Sequence, residues 1–347
     1  MKKTLLLLII STVVFGCEER TMQTRTETKT YTKERVREVD YRASTVPEEG
    51  GVQFTQYTDE QETVLGPYIK AERGIINWYA PSIICISPDG GKLCYLGRKD
   101  GKDNIYIKNT SGGRTTVQRT FRGKVLDMDF SPDGKSIAFT DESEPNNYNI
   151  YLINATEGSA IQQITSTSGL EFSPSFSKDS KMIYFTRSEF SSYYNKTVYS
   201  IWSFNRETSL LTQYSEGFTP HMAPNNSIIV CTRNNKETGN GELWTINVEK
   251  GQETLILSDP DKGYSSPNLS PDGKKIVCVG TTLGNKTRVE NLDIFTINLD
   301  GTGLTQLTFH QGHDVSPKWA PDSKSIYILS QRGNAKGDWN VWSLKVK

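Results

Sequence analysis

Short runs in which apolar and other residues alternate recur along this chain from about residue 84 to its end. They hold Leu93 and Tyr95, Ile137 and Phe139, Ile183 and Phe185, Ile229 and Cys231, Ile276 and Cys278, and Ile326 and Ile328. A period of two puts one face of a strand into a core. No stretch after residue 70 carries a helical period. A turn signal precedes each run: Ser87-Pro88-Asp89-Gly90, Ser131-Pro132-Asp133-Gly134, Ser177-Lys178-Asp179-Ser180, Ala223-Pro224-Asn225-Asn226, Ser270-Pro271-Asp272-Gly273 and Ala320-Pro321-Asp322-Ser323. Proline presets φ, and the last residue tolerates positive φ, which suits a tight turn between antiparallel strands. The residue before each turn is Ile86, Phe130, Phe176, Met222, Leu269 or Trp319, again a core position.

Successive turns stand 44, 46, 46, 47 and 50 residues apart. That period, with several short strands in each copy, predicts an all-β chain folded as a six-bladed β-propeller of four-stranded antiparallel blades. The triplets Asn104-Ile105-Tyr106, Asn149-Ile150-Tyr151, Ser200-Ile201-Trp202, Glu242-Leu243-Trp244, Asp293-Ile294-Phe295 and Asn340-Val341-Trp342 read as outer strands. Leu304-Thr305-Gln306-Leu307-Thr308, after the turn-rich link at 298–303, reads as an innermost strand. Pro174, Pro220, Pro267 and Pro317 read as points where a loop enters a strand. The propeller is expected to fill 52–347. Residues 52–58 either close the ring on the last blade or leave each blade to its own repeat.

Ser131-Pro132-Asp133-Gly134-Lys135 and Ser270-Pro271-Asp272-Gly273-Lys274, with the Ile-x-Phe runs and the Asp300-Gly301-x-x-Leu304-x-x-Leu307-Thr308 link, resemble the repeat of TolB-type propellers over about residues 70 to 347. The resemblance implies a binding scaffold of the cell envelope, with a protein partner such as a peptidoglycan-associated lipoprotein. The same blade also serves peptidase accessory domains and pectin-degrading lyases, so a carbohydrate-binding or polysaccharide-lyase protein is the alternative. The chain departs from the TolB pattern in having no room for a separate N-terminal α/β domain and in carrying a lipobox, so a role in the Tol system is not implied.

At the N-terminus, Met1-Lys2-Lys3 precedes an apolar core at 5–10 and Val14-Phe15-Gly16-Cys17. This is read as a lipoprotein signal peptide over 1–16, cleaved before a lipidated Cys17, because the apolar run is short for a mature span. From 17 to 51 threonines alternate with charges and large aliphatics are nearly absent, so a disordered tether is expected. As a flexible coil it reaches about 30 to 35 Å. The expected location is the bacterial cell envelope, periplasmic or on the outer surface, with membrane contact through the lipid anchor alone.

Forty basic and forty acidic residues cancel, which gives no field for nucleic acid. No Gly-x-Ser-x-Gly elbow or phosphate-binding loop is present. His310 and His313 beside Asp314 have the spacing of metal ligands, but His221 lies two blades away and the segment is where the repeat requires a polar loop. Asp127 and Asp129 share one side of a strand, read as the second of blade two; a cation or acid–base role is weighed there against ordinary hydrogen bonding. Cys231 and Cys278 read as small core residues. Cys85 and Cys94 flank the first turn and are placed to face each other, as thiols or as a disulfide in an oxidising compartment. No catalytic residue, cofactor or metal is assigned, and a monomer is expected.

Topology then separates a face of turns and inter-blade links from a face of variable loops. Trp78, Tyr79, Glu171, Phe190, Tyr193, Tyr194, His313 and Asp314 are expected on the variable face as ligand-binding candidates, since exposed aromatics beside polar groups suit protein or glycan recognition.

Overall fold

In the computed structural model, residues 48–346 are described except for 50–51, 59–63, 67–70, 73–74, 77–81, 113–116, 121–124, 145–146, 156–159, 168, 284–289 and 334–337. The expected signal peptide and most of the tether therefore lie outside the described residues, as do Trp78 and Tyr79.

Six antiparallel sheets form the blades of a propeller. Blade three is typical: Leu170–Phe176, Met182–Ser191, Lys196–Asn205 and Leu211–Glu216 follow one another from the axis outward. The strand before each turn is thus innermost, and its residues are almost all buried, whereas Thr305–Gln306 is the outermost strand of blade five. This corrects the expected strand order by one place. The Leu304 segment lies outside, half-exposed, and the Asn104-type triplets occupy third strands. The error follows from length, because a two-residue outer strand leaves almost no periodic signal. Asp127 and Asp129 accordingly sit in the innermost strand of blade two, Val125–Phe130, and not in a second strand.

Ring closure takes the first of the two routes. Val52–Gln56 adds outside Asn340–Lys345 in blade six, pairing Phe54 with Leu344 and Gln56 with Trp342, and Glu48–Glu49 adds once more beyond it. Thr58 locks the joint: its Oγ1 donates to Asn340 Oδ1 at 3.1 Å and accepts the Val341 N–H at 2.9 Å.

The turns form as their chemistry demands. The Ser87, Ser131, Ser177 and Ser270 hydroxyls donate to Asp89, Asp133, Asp179 and Asp272, whose Oδ1 also takes the backbone N–H two residues on. Those hydroxyls hold the Asp89, Asp179 and Asp272 carboxyls below their usual range. The fourth turn residue has φ between 54° and 73° in all six copies.

The four recurrent prolines lie inside innermost strands, not at their entrances. Register shifts fall between Phe172 and Ser175, Phe218 and His221, Ser265 and Asn268, and Val315 and Lys318. The residue before each proline, Ser173, Thr219, Ser266 or Ser316, has φ near +50°. A bulge both tolerates a residue without an N–H and re-aims the strand.

Candidate functional site

The innermost strands converge on the axis, and one residue before each apolar pre-turn position they present Cys85, Asp129, Ser175, His221, Asn268 and Lys318. Four of these bind the backbone of the next blade. Phe176 N–H donates to Asp129 (3.0 Å), Met222 N–H to Ser175 Oγ (3.5 Å), Leu269 N–H to His221 Nδ1 (3.1 Å) and Trp319 N–H to Asn268 Oδ1 (3.0 Å). Lys318 instead spans blade one to reach Asp129 Oδ1 at 3.5 Å. Burial raises the Asp129 carboxyl and the Lys318 charge pulls it back, while burial, then the Lys318 charge, drops His221 to about 3. His221 is therefore neutral at ordinary pH, which suits a ring nitrogen that accepts an N–H. Deeper in, Asp127 accepts the Ser173 N–H at 2.7 Å. Both aspartates are thus hydrogen-bonded structural groups that join blade two to blade three. On the turn face the axis opens into a funnel of about 300 Å³, rimmed by Pro88, Pro132, Pro224, Pro271 and Pro321.

On the opposite face the candidate residues divide. Glu171 is fully buried; its Oε1 accepts from Arg187 Nε (3.0 Å) and Nη2 (2.6 Å) and from Thr167 Oγ1 (3.1 Å). The Arg187 guanidinium also lies 3.9 Å over the Trp202 ring. Asp314, equally buried, pairs with Arg332 Nη2 at 2.7 Å, and that guanidinium lies 3.8 Å over Phe54. His313 Nδ1 accepts the Leu292 N–H at 3.3 Å, and burial lowers its pKa. His310 Nδ1 takes the Gly312 N–H at 3.0 Å. Glu171, His313 and Asp314 are therefore drawn into blade packing, not offered to a ligand, because each finds partners across its own or an adjoining strand. Among the described residues, no three His, Cys, Asp or Glu side chains gather as a metal cage.

Phe190, Tyr193 and Tyr194 do stand at the surface, at the hairpin joining Met182–Ser191 to Lys196–Asn205. They are 67%, 87% and 63% exposed, the two tyrosines meet edge to face at 4.8 Å, and Lys196 Nζ lies 5.7 Å from the Tyr194 ring. Cys85 and Cys94 are direct cross-strand partners, buried and unbridged, and burial followed by the contact with Cys94 raises the Cys85 thiol. The axial ring escaped the sequence reading. Its signal was a polar residue, in five copies of six, immediately before the apolar pre-turn residue.

The TolB beta propeller domain family matches residues 75–256. The Tol-Pal system protein TolB of Francisella tularensis subsp. mediasiatica is 28% identical over 240 residues, 68% of this chain and 53% of that protein, so the chain spans about half the length of the curated relatives it matches. The crystal structure of TolB from Acinetobacter baumannii aligns over 74% of this chain and 64% of its own, at 20% identity and a TM-score of 0.59. An oligogalacturonate lyase from Vibrio parahaemolyticus aligns over 85% and 97% at 13% identity and a TM-score of 0.53, a likeness of fold alone. With six blades in register and more than half its length matched by that family, the chain belongs to the TolB beta propeller domain family.

Proposed function

We propose that this protein is a lipid-anchored scaffold of the cell envelope that binds a protein partner through the loop face of its propeller, without catalysis. The observation that carries the reading is the hairpin of Phe190, Tyr193 and Tyr194, which exposes three rings while most other aromatics among the described residues are covered. Aromatic side chains supply large contact area at low entropic cost, and they dominate binding hot spots. The buried Glu171–Arg187 pair at the base of the same blade holds the hairpin's parent strand in place. Membership of the TolB beta propeller domain family and the Tol-Pal role named for its relatives support a protein partner in the envelope. The Leu-rich start and Cys17 support attachment through a lipid.

The full chain, used as bait in solubilised envelope, should retain one stoichiometric protein. Replacing Tyr193 and Tyr194 with alanine should weaken that capture at least about tenfold, as loss of a hot spot does. Equal capture by the double variant would overturn the role of the hairpin, and saturable polysaccharide binding lost with the same variant would favour a glycan ligand instead.

A further inference from the structure

Five of the six seams between blades are closed by the same device. The third strand of the following blade sends an apolar side chain back against the preceding blade: Ile153, Phe204, Ile246, Ile297 and Leu344 in blades two to six. All five are buried, and they share apolar clusters with residues of the preceding blade, such as Phe204 with Leu152 and Ile246 with Tyr184. The register places Lys108 at this position in blade one, opposite Leu93. Two residues on, blades two to six carry Ala155, Arg206, Val248, Leu299 and Val346, each donating its N–H to the carbonyl before the second strand. Blade one has Thr110, which makes the same bond to Gly91 and turns its hydroxyl to the Gly90 carbonyl at 2.6 Å. The seam between blades six and one therefore lacks the apolar wedge that the other five carry at the first position, and holds a threonine at the second.

A cavity of about 410 Å³ opens at that seam, apart from the axial funnel. Its floor is the face of blade six that looks towards blade one: Thr55 and Tyr57 from the closing segment, Tyr327 from the second strand, and Ser343 from the third. Asp89 of the first turn stands on the opposite wall, and Lys345 lies at the floor's end. The alternation of the closing strand explains this lining, since Val52 and Phe54 enter the core and leave Gln53 and Thr55 to the seam. The same tyrosine pairing occurs in blade three as Tyr184 and Tyr214, but there blade four covers it with Ile229 and Ile246.

We infer that this seam is a binding site for a neutral saccharide. Its volume falls in the range of small-ligand pockets. An apolar ligand would leave the Thr55 and Ser343 hydroxyls and the Gln53 amide without partners from it, a loss that polar sites use to reject it. The carboxylates of Asp89 and Asp322 oppose the Lys345 ammonium, so the site is not built around one charge sign. Tyr57 and Tyr327, with ring centroids 5.2 Å apart, add an aromatic wall beside the polar groups. A sugar ring has this combination, an apolar C–H face edged by hydroxyls that both donate and accept. The site lies apart from the exposed hairpin, so this inference does not rest on the protein-scaffold reading.

Titration calorimetry of the full chain with glucose, galactose, N-acetylglucosamine and their β-linked disaccharides, up to about 10 mM, tests it. At least one should bind saturably. Lys108→Ile, which installs the wedge of the other five seams, should weaken that binding at least about tenfold with an unchanged or raised Tm. Ser343→Leu, which fills the floor, should do the same, whereas Lys108→Gln should still bind. Silence of the whole panel would overturn the inference. So would binding that survives both filling variants, or that Lys108→Gln abolishes as fully as Lys108→Ile does.

Discussion

Arg187→Met removes the cation from a fully buried pair and leaves Glu171 with a carboxylate that water does not reach. The variant deletes two N–H donors, at 3.0 and 2.6 Å from Oε1, and only Thr167 Oγ1 at 3.1 Å stays. Oε2 has no hydrogen-bond partner among the described residues, so nothing there compensates. Breaking one side of a buried pair costs about 3–5 kcal/mol. The guanidinium's contact with the Trp202 ring at 3.9 Å adds to the loss, by up to about 2 kcal/mol. Because methionine keeps much of the stem's volume, the cost should be electrostatic and recoverable. Glu171→Gln combined with Arg187→Met should return to within about 2 kcal/mol of the parent. Urea unfolding followed by tryptophan fluorescence, with the four corners of the cycle, reads this directly. The single variant should lower Tm by roughly 6–28 °C, at about 2–4 °C per kcal/mol for a chain of this size. A loss below about 1 kcal/mol, or a double variant no better than Arg187→Met alone, would refute the reasoning.

Three further outcomes are expected. His221 has a folded pKa of about 3 against the ordinary 6.5, so the unfolded chain binds the extra proton between those values. Its contribution is therefore complete above pH about 6.5 and is lost as pH falls towards 3, by up to about 1.4 kcal/mol per pH unit. Acid titration of stability should be steeper in the parent than in His221→Asn, whose amide oxygen copies Asn268, because the slope shared with the buried His310 and His313 stays in both. Thr58→Ala strips the Val341 N–H of its acceptor at the ring joint and should cost about 1–3 kcal/mol in denaturant melts, with a parent-like midpoint counting against the lock. Burial pushes the Cys231 thiol up to about 12 and also raises Cys85 and Cys278, so these three thiols should resist a thiol-reactive dye in the native protein and react after unfolding, as mass-spectrometric mapping of the labelled sites would read.

The blade repeat was legible because each turn writes a proline or its substitute and a positive-φ residue, and four of the six add a serine hydroxyl-to-aspartate contact. The two faces were legible too, since they follow from turn phase whichever strand lies innermost. Strand rank was not, because Gln162–Gln163 and Thr305–Gln306 are too short to show a period, and rank was settled by the pairing of Val52–Gln56 with the last blade. Glu171 and Asp314 looked like loop acids because their burial depends on Arg187 and Arg332, 16 and 18 residues further on. Phe190, Tyr193 and Tyr194 are exposed at a hairpin where nothing in the repeat demands rings. The open seam was hidden because Lys108 becomes unusual only once the register aligns it with five apolar counterparts.

The joint at Thr58 unites positions 282 and 283 residues apart in sequence. A ribosome delivers the closing strand first and the strand it must join last, so about five blades can form before the ring has a neighbour for its first segment. Closure entropy grows only as the logarithm of the loop, and docked blades shorten the effective loop further. The final step of folding is then the annealing of one short strand onto an otherwise finished disc. Until that moment blade six carries an unpaired edge, at Asn340–Lys345, that any extended segment from another molecule can occupy. The speed with which residues 52–58 return to it therefore sets the balance between a closed monomer and strand-exchanged assemblies.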